Sequence, residues 1–194
     1  QENELESDRP GLTSFGRSVV SRMNELGMVV DVSHSSPTAI ADTLAETSRP
    51  ILNSHSGSRD LAPKLQNLWD DQIRAMAANG GVIGIHFCSR LVLGVNDRQA
   101  EIADVVRQIR YVADVGGINV IALGPDFILG NPERDSLYIR NTSQGDISWT
   151  RGLESTAEIE NIIGPLESDG FSEPEIEKIL GGNLFGLFTE VLPA

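Results

Sequence analysis

Three histidines and one aspartate carry most of the chemistry that this sequence offers. His34 follows the apolar run Met28-Val29-Val30-Asp31-Val32, and His55 follows Pro50-Ile51-Leu52-Asn53. His86 follows Gly81-Val82-Ile83-Gly84-Ile85, and Asp126 follows Val120-Ile121-Ala122-Leu123 after a Gly124-Pro125 step. A single histidine is more often structural than a ligand, but here every histidine of the chain occupies the same kind of position. Imidazole suits Zn²⁺, and a neighbouring carboxylate either completes the metal shell or moves a proton. Two histidines on adjacent strands lie ~5 Å apart at the backbone, close enough to grip one ion. A catalytic zinc site, however, takes three protein ligands and an open position. The residues alone therefore predict a metal site that this chain leaves incomplete.

The elements that would position these groups are legible from hydrophobic spacing. Each of the four runs is nearly uniform in apolar character rather than alternating, which suits strands of a parallel sheet buried on both faces. Between them lie helical stripes. Val19, Val20, Met23 and Leu26 share one face, capped by Thr13 or Ser14 and stopped by Gly27. Ala39, Ile40, Thr43 and Leu44 follow the start signal Ser35-Ser36-Pro37, while Ile73, Met76 and Ala77 run to the Asn79-Gly80-Gly81 stop. Ile102, Val105, Val106, Ile109 and Val112 form the longest stripe, ending at Gly116-Gly117. Ser172 and Glu175 make a capping box for a helix predicted to end at Gly181-Gly182, and Leu184, Phe185 and Phe188 look like a packing helix. The order α-β-α-β-α-β-α-β reads as consecutive βα units in one domain over residues 1–194. In such folds the C-terminal strand ends form the active face, so the histidines and Asp126 are expected on one rim. Four strands are too few for a closed eight-stranded barrel, leaving an open doubly wound sheet or half of a barrel. The stretch from Phe127 to Arg151 lacks periodicity and is expected to cover the functional face.

Composition narrows the rest. The chain has 194 residues, 40% hydrophobic and 22% charged, with a net charge of −13. That charge speaks against nucleic acid, which is held by clustered Lys and Arg. No apolar run approaches the ~18 residues of a membrane span. A lone cysteine, Cys88, excludes an internal disulfide framework and is expected to be a small buried hydrophobe. The sequence opens on Gln1 rather than Met, so an upstream segment is expected, and the compartment stays open.

The stretch Gly11-Leu12-Thr13-x-Phe15-Gly16-x-x-Val19-Val20-x-x-Met23-Asn24-x-Leu26-Gly27-Met28-x-Val30-Asp31-x-Ser33-His34 resembles the signature of membrane (renal) dipeptidases. The likeness continues through Pro50-Ile51-x-x-Ser54-His55-Ser56, Ala78-Asn79-Gly80-Gly81-Val82-Ile83-Gly84-Ile85, Gly124-x-Asp126-Phe127, Gly152-Leu153-Glu154 and Ile179-Leu180-Gly181-Gly182-Asn183. It implies a TIM-like (β/α) barrel with a binuclear zinc centre that hydrolyses dipeptides. By that resemblance His34 and His55 bind one of the two zincs. Asp126 handles protons on the attacking water and the leaving amine. The family's His-x-Asp ligands, its bridging glutamate and a substrate-binding histidine lie upstream of the part that begins here. The chain therefore reads as a C-terminal half, about four βα units plus C-terminal helices.

Two departures bear on substrate. Gln66-Asn67 stands where the family commonly has Arg-Asn, whose arginine grips the substrate's C-terminal carboxylate; Gln66 donates hydrogen bonds but brings no charge. Arg59 or Lys64 is the candidate cation in its place. Asp126-Phe127-Ile128-Leu129 lacks the second carboxylate of the family's Asp-Phe-Asp-Gly. His86 has no role in the resemblance, Asp31 is either a turn-former or a partner for a metal-bound histidine, and Trp69-Asp70 reads as a helix start. Three readings stay open: a zinc dipeptidase, an impaired or truncated relative, and a metal-dependent hydrolase of another amide such as a lactam. Expected partners are a small dipeptide-like substrate and either a second copy or the missing N-terminal half, because half a barrel exposes two sheet edges.

Overall fold

The computed structural model describes residues 10–95, 98–127 and 148–193. Helix α1 (Ser14–Leu26) is capped by Thr13, whose hydroxyl accepts from the Gly16 amide, and stops at Gly27, a left-handed residue with φ 67°. Helix α2 (Pro37–Glu46) starts at Ser36, whose side chain accepts from the Ala39 amide, with proline in the first turn. Strand β1 (Leu52–Ser56), helix α3 (Asp70–Ala78), strand β2 (Val82–Ile85), short helix α4 (Ser89–Leu93), helix α5 (Ile102–Gly116) and strand β3 (Ile121–Leu123) follow. The strands form a parallel sheet in the order β1-β2-β3. Helices α3 and α5 make the crossovers, as the βα reading expects.

One side of the sheet carries the main core. Ile73 and Met76 of α3 and Val105, Ile109 and Val112 of α5 join Ile83, Ile85 and Ile121 of the strands. Ile73, Ile83, Ile85, Ile109 and Ile121 are fully buried. Each such side chain stabilises the fold by roughly 1.5–3 kcal/mol. An exposed ion pair such as Arg22–Glu25 contributes ~0–1 kcal/mol, so packing decides the architecture. A smaller cluster joins Val82 and Ala122 to Leu187 and Val191 of the C-terminal helix Asn183–Val191.

The structure corrects the sequence reading in several places. Met28–Val32 forms no strand but pairs with β1 through a single parallel bridge, Asp31 to Leu52. Leu52 donates to the Val30 carbonyl and accepts from Val32, and there the pairing ends. The Asp31 carboxylate takes the Ser33 and Ser54 amides, and the chain turns at Ser33-His34 with Ser35 bonding back to Val32. The apolar run Pro50–Asn53 is displaced from its strand: the Ile51 amide is bonded to the Asn79 side chain, and the ladder runs from Leu52 to Ser56. His55 therefore lies within β1 rather than after it. The capping box at Ser172 and Glu175 is present, but the α-helix it opens covers Glu173–Glu177 and passes through a π-turn at Lys178–Gly182 into Asn183–Val191. On α1 only part of the expected stripe is inside: Val20 is buried, whereas Val19 is 39% and Leu26 is 48% exposed. Among the described residues, no helix is long and apolar enough to cross a membrane.

Candidate functional site

Two glycines bring the strand ends together. A Cβ on Gly84 would collide with the Ser54 carbonyl oxygen and come within 2.9 Å of the Gly124 Cα. One on Gly124 would meet the same Ser54 oxygen and lie 2.8 Å from the Gly84 Cα. All these neighbours are backbone, so neither position has room for a side chain. The close approach lets groups from β1, from the exit of β2 and from the turn after β3 meet across the rim.

Beneath the rim lies a polar buttress. The Ser33 hydroxyl donates to Asn53 Oδ1 at 3.0 Å, lies 3.0 Å from the Ser54 hydroxyl, and accepts from the His55 amide at 3.2 Å. Burial works against the Asp31 charge, but bonds from Ser54 and Ser33 outweigh it and hold that carboxyl below its usual range. Asp31 is thus a turn-former and a clamp between two segments; its described bonds go to Ser33 and Ser54.

On this base His34 and His55 point at each other, Nε2 to Nε2 at 2.8 Å. The other ring nitrogen of each is engaged: His55 Nδ1 lies 2.9 Å from the Ser54 hydroxyl, and His34 Nδ1 lies 3.2 Å from Gln66 Nε2. The Ser54 hydroxyl can accept from His55 Nδ1–H, which leaves the His55 Nε2 lone pair free to face a metal, whereas Gln66 Nε2 is a donor at His34 Nδ1. Asp126 Oδ2 is 3.9 Å from His55 Nε2 and 3.5 Å from His86 Nε2. His34 at φ 62° and Asp126 at φ 59° are the non-glycine residues in the left-handed region among those described. Such a conformation costs on the order of 1–3 kcal/mol, and it falls here on two candidate residues.

The electrostatics match the geometry. Burial pushes the pKa of His55 down, opposed by the Asp126 carboxylate. Burial lowers His86 too, against the hydrogen bond and charge of Asp126. For Asp126, burial would raise the pKa, but the His86 bond and the facing imidazoles outweigh it, so the carboxyl stays ionised. Burial thus favours the neutral form of His55 and His86 beside a carboxylate whose side chain is 42% exposed.

The structure brings together His34, His55, Gln66 and Asp126. For Arg59 the described contact is with Trp69, whose ring its guanidinium covers at 4.4 Å. Trp69 caps α3, as read from the sequence. Ile128 and Leu129 lie outside the described residues. Cys88 is buried, and burial raises its thiol pKa. Sequence reasoning gave no role to His86, although its place after β2 put it on the expected rim. It missed Trp149 altogether, whose ring stacks on His86 at 6.0 Å. Trp149 arrives through an antiparallel bridge to Cys88, with Thr150 bonded to the Phe87 carbonyl.

The donor set fits part of a metal shell. His34 and His55 present converging Nε2 atoms, but among the described residues no group of three or more His, Cys, Asp or Glu side chains is arranged to hold a metal.

The chain thus carries imidazoles and a carboxylate at the C-terminal rim of a parallel α/β sheet. The chain belongs to the membrane dipeptidase family, peptidase family M19, which it matches over residues 1–192. It is 31% identical to mouse (Mus musculus) Dipeptidase 3 over 183 residues, covering 93% of this chain and 33% of that protein. It is 30% identical to an uncharacterized Klebsiella pneumoniae protein of the pqqA 5′ region, covering 90% of this chain and 59% of that one. A metallo peptidase from Rhodobacter sphaeroides, solved with a phosphinate mimic of the dipeptide L-Ala-D-Ala, superposes with a TM-score of 0.80 at 22% identity. That match covers 95% of this chain and 48% of that one. An amidohydrolase from Pseudomonas aeruginosa gives a TM-score of 0.81 at 25% identity, covering 93% of this chain and 57% of that one. The chain thus spans from a third to three-fifths of the length of these relatives.

Proposed function

We propose that this chain is part of a zinc-dependent dipeptidase, with His34 and His55 as metal ligands and Asp126 as the proton-handling group. The observation that carries the reading is the convergence of both Nε2 atoms beside the Asp126 carboxylate in a member of a dipeptidase family. Bound zinc would polarise the scissile carbonyl and supply hydroxide at neutral pH. Ser54 holds the His55 ring through Nδ1, leaving Nε2 for the ion. Asp126, held ionised, takes the proton of the attacking water and returns it to the leaving amine. Gln66 offers an amide to the substrate's C-terminal carboxylate, and Arg59, whose guanidinium covers the Trp69 ring, is the candidate for the missing positive charge.

The remaining zinc ligands and strands come, on this reading, from a further segment that completes a TIM-like barrel of which residues 1–194 form part. Coverage of 48% and 57% of the two solved structures supports this. The test is zinc content and dipeptide turnover of the chain, alone and with the complementary segment of a family member. Alone it should bind at most one zinc, weakly, without turnover; together they should give hydrolysis that a chelator abolishes. Chelator-resistant hydrolysis, or turnover indifferent to His55→Ala, would refute the assignment. A second reading is favoured by Gln66: a neutral amide at this position suits an amide substrate without a free carboxylate, such as a lactam. Faster turnover of such amides than of dipeptides would decide for it.

A further inference from the structure

His86 is a buried, titratable side chain that the reaction sketched above does not use, and its surroundings define it on three sides. The Cys88 amide donates to His86 Nδ1 at 2.7 Å. An N–H donor at that distance requires a lone pair on Nδ1, so the proton of the neutral ring is on Nε2. Nε2 in turn faces Asp126 Oδ2 at 3.5 Å. Trp149 stacks on the ring, inclined by 18°, and His86 is only 4% exposed. A second proton would set Nδ1–H against the Cys88 N–H, so the surroundings favour one tautomer of the neutral ring.

We propose that His86 is a positioning residue for Asp126: its Nε2–H anchors Oδ2 and leaves Oδ1 as the oxygen that exchanges the proton. The kinetic half of this inference rests on the dipeptidase reading; the structural half does not. Asp126 needs such an anchor because its backbone is left-handed and its side chain is half open to solvent. His55 also faces Oδ2, at 3.9 Å, but on the dipeptidase reading its Nε2 would bind the metal and would then have no proton to donate. The separation of 3.5 Å is long for a hydrogen bond, as contacts among catalytic groups often are before the reacting complex forms.

Side-chain length allows a clean dissection. In His86→Asn the amide oxygen replaces Nδ1 and keeps the Cys88 bond, but nothing reaches Asp126. In His86→Gln the amide nitrogen takes the place of Nε2 and restores the donor. In the hydrolytically competent protein, His86→Asn should lower kcat by about tenfold to a hundredfold, the range for a lost hydrogen bond to a charged group, with KM little changed. His86→Gln should recover most of that loss. In an Asp126→Asn background, His86→Asn should add nothing. Equal losses in the two His86 variants, or additive losses with Asp126→Asn, would overturn the proposal.

The activity-free readout is long-range ¹H–¹⁵N NMR of the chain, whose three histidines are few enough to assign by substitution. His86 should show a protonated Nε2 and a bare Nδ1, and Asp126→Ala should displace the Nε2–H resonance. An Nδ1-protonated ring, or a resonance indifferent to Asp126→Ala, would overturn the proposal whatever the activity. If the NMR result holds but no dipeptide is cleaved, the positioning contact stands and the dipeptidase reading falls.

Discussion

The two sides of the site are built differently. On one, His86 is buried, its Nδ1 held by a backbone amide and its face covered by Trp149, so that Nε2 meets Asp126 in a fixed sense. On the other, His34 is exposed and meets the Gln66 and His55 side chains, while the His55 ring lies against the Ser54 hydroxyl. Backbone contacts are set by the fold and do not rearrange cheaply, whereas side-chain contacts on an open rim do. The His86–Asp126 side is therefore the more firmly held of the two, and the His34–His55 side the more adjustable.

The severest way to break the contrast is to push the strand ends apart. Gly84→Ala should damage both sides together, because the new Cβ meets the Ser54 carbonyl and the Gly124 backbone rather than a movable side chain. Overpacking of this kind should cost ~3 kcal/mol or more, seen as a large fall in Tm or as insoluble protein. A wild-type Tm would mean that the strands separate easily and that the convergence is not imposed by glycine.

Separating the two sides comes next. His55→Ala should weaken zinc binding by more than the ~10–100-fold that loss of an outer partner typically causes, measured by competition with a chromogenic chelator. Asp126→Asn should leave that affinity within a few fold while suppressing turnover. Similar losses of metal in both variants would make Asp126 a ligand and erase the distinction.

A smaller effect is expected at Gln66. A charge-assisted hydrogen bond contributes ~1.5–3 kcal/mol against ~1 for a neutral one, so Gln66→Arg should strengthen dipeptide binding about tenfold. KM should fall for dipeptides and stay put for amides without the free carboxylate. If KM is unchanged for both while zinc affinity drops, Gln66 serves His34, which it already touches at 3.2 Å, and not the substrate.

The mildest test is pH. His55 and His86 have pKa values lowered from 6.5, so the unfolded chain binds more protons than the folded one just below that value. Their contribution to stability is therefore complete above pH 6.5 and is lost as pH falls through that region. Asp126 acts in the same direction at lower pH, since its pKa is depressed from 3.8. Urea midpoints of the metal-free chain should decline from about pH 7 downward, and His86→Gln should flatten part of that decline. A slope that His86→Gln leaves unchanged would mean that burial of this imidazole does not matter to folding.

Local sequence determined the starts of α1 and α2 and the stop of α1, because caps are short-range chemistry: Thr13, Ser36 and Gly27 act on amides and carbonyls within their own turn. It also marked the parallel strands at Val82–Ile85 and Ile121–Leu123, and the order of buried apolar runs pointed to the rim where His34, His55 and Asp126 meet. Tertiary structure decided where pairing begins and ends. Asn79, distant in sequence, takes the Ile51 amide and shifts β1 towards His55, and the Asp31 side chain curtails the pairing of Met28–Val32. It alone brought Trp149 onto His86, because that contact depends on a bridge between Cys88 and a residue far along the chain. The tautomer of His86 has the same origin: one sequence neighbour, Cys88, supplies the donor, but only the folded turn aims it at Nδ1. Residue types and spacing could name the groups that do chemistry; which nitrogen faces which oxygen is a property of packing.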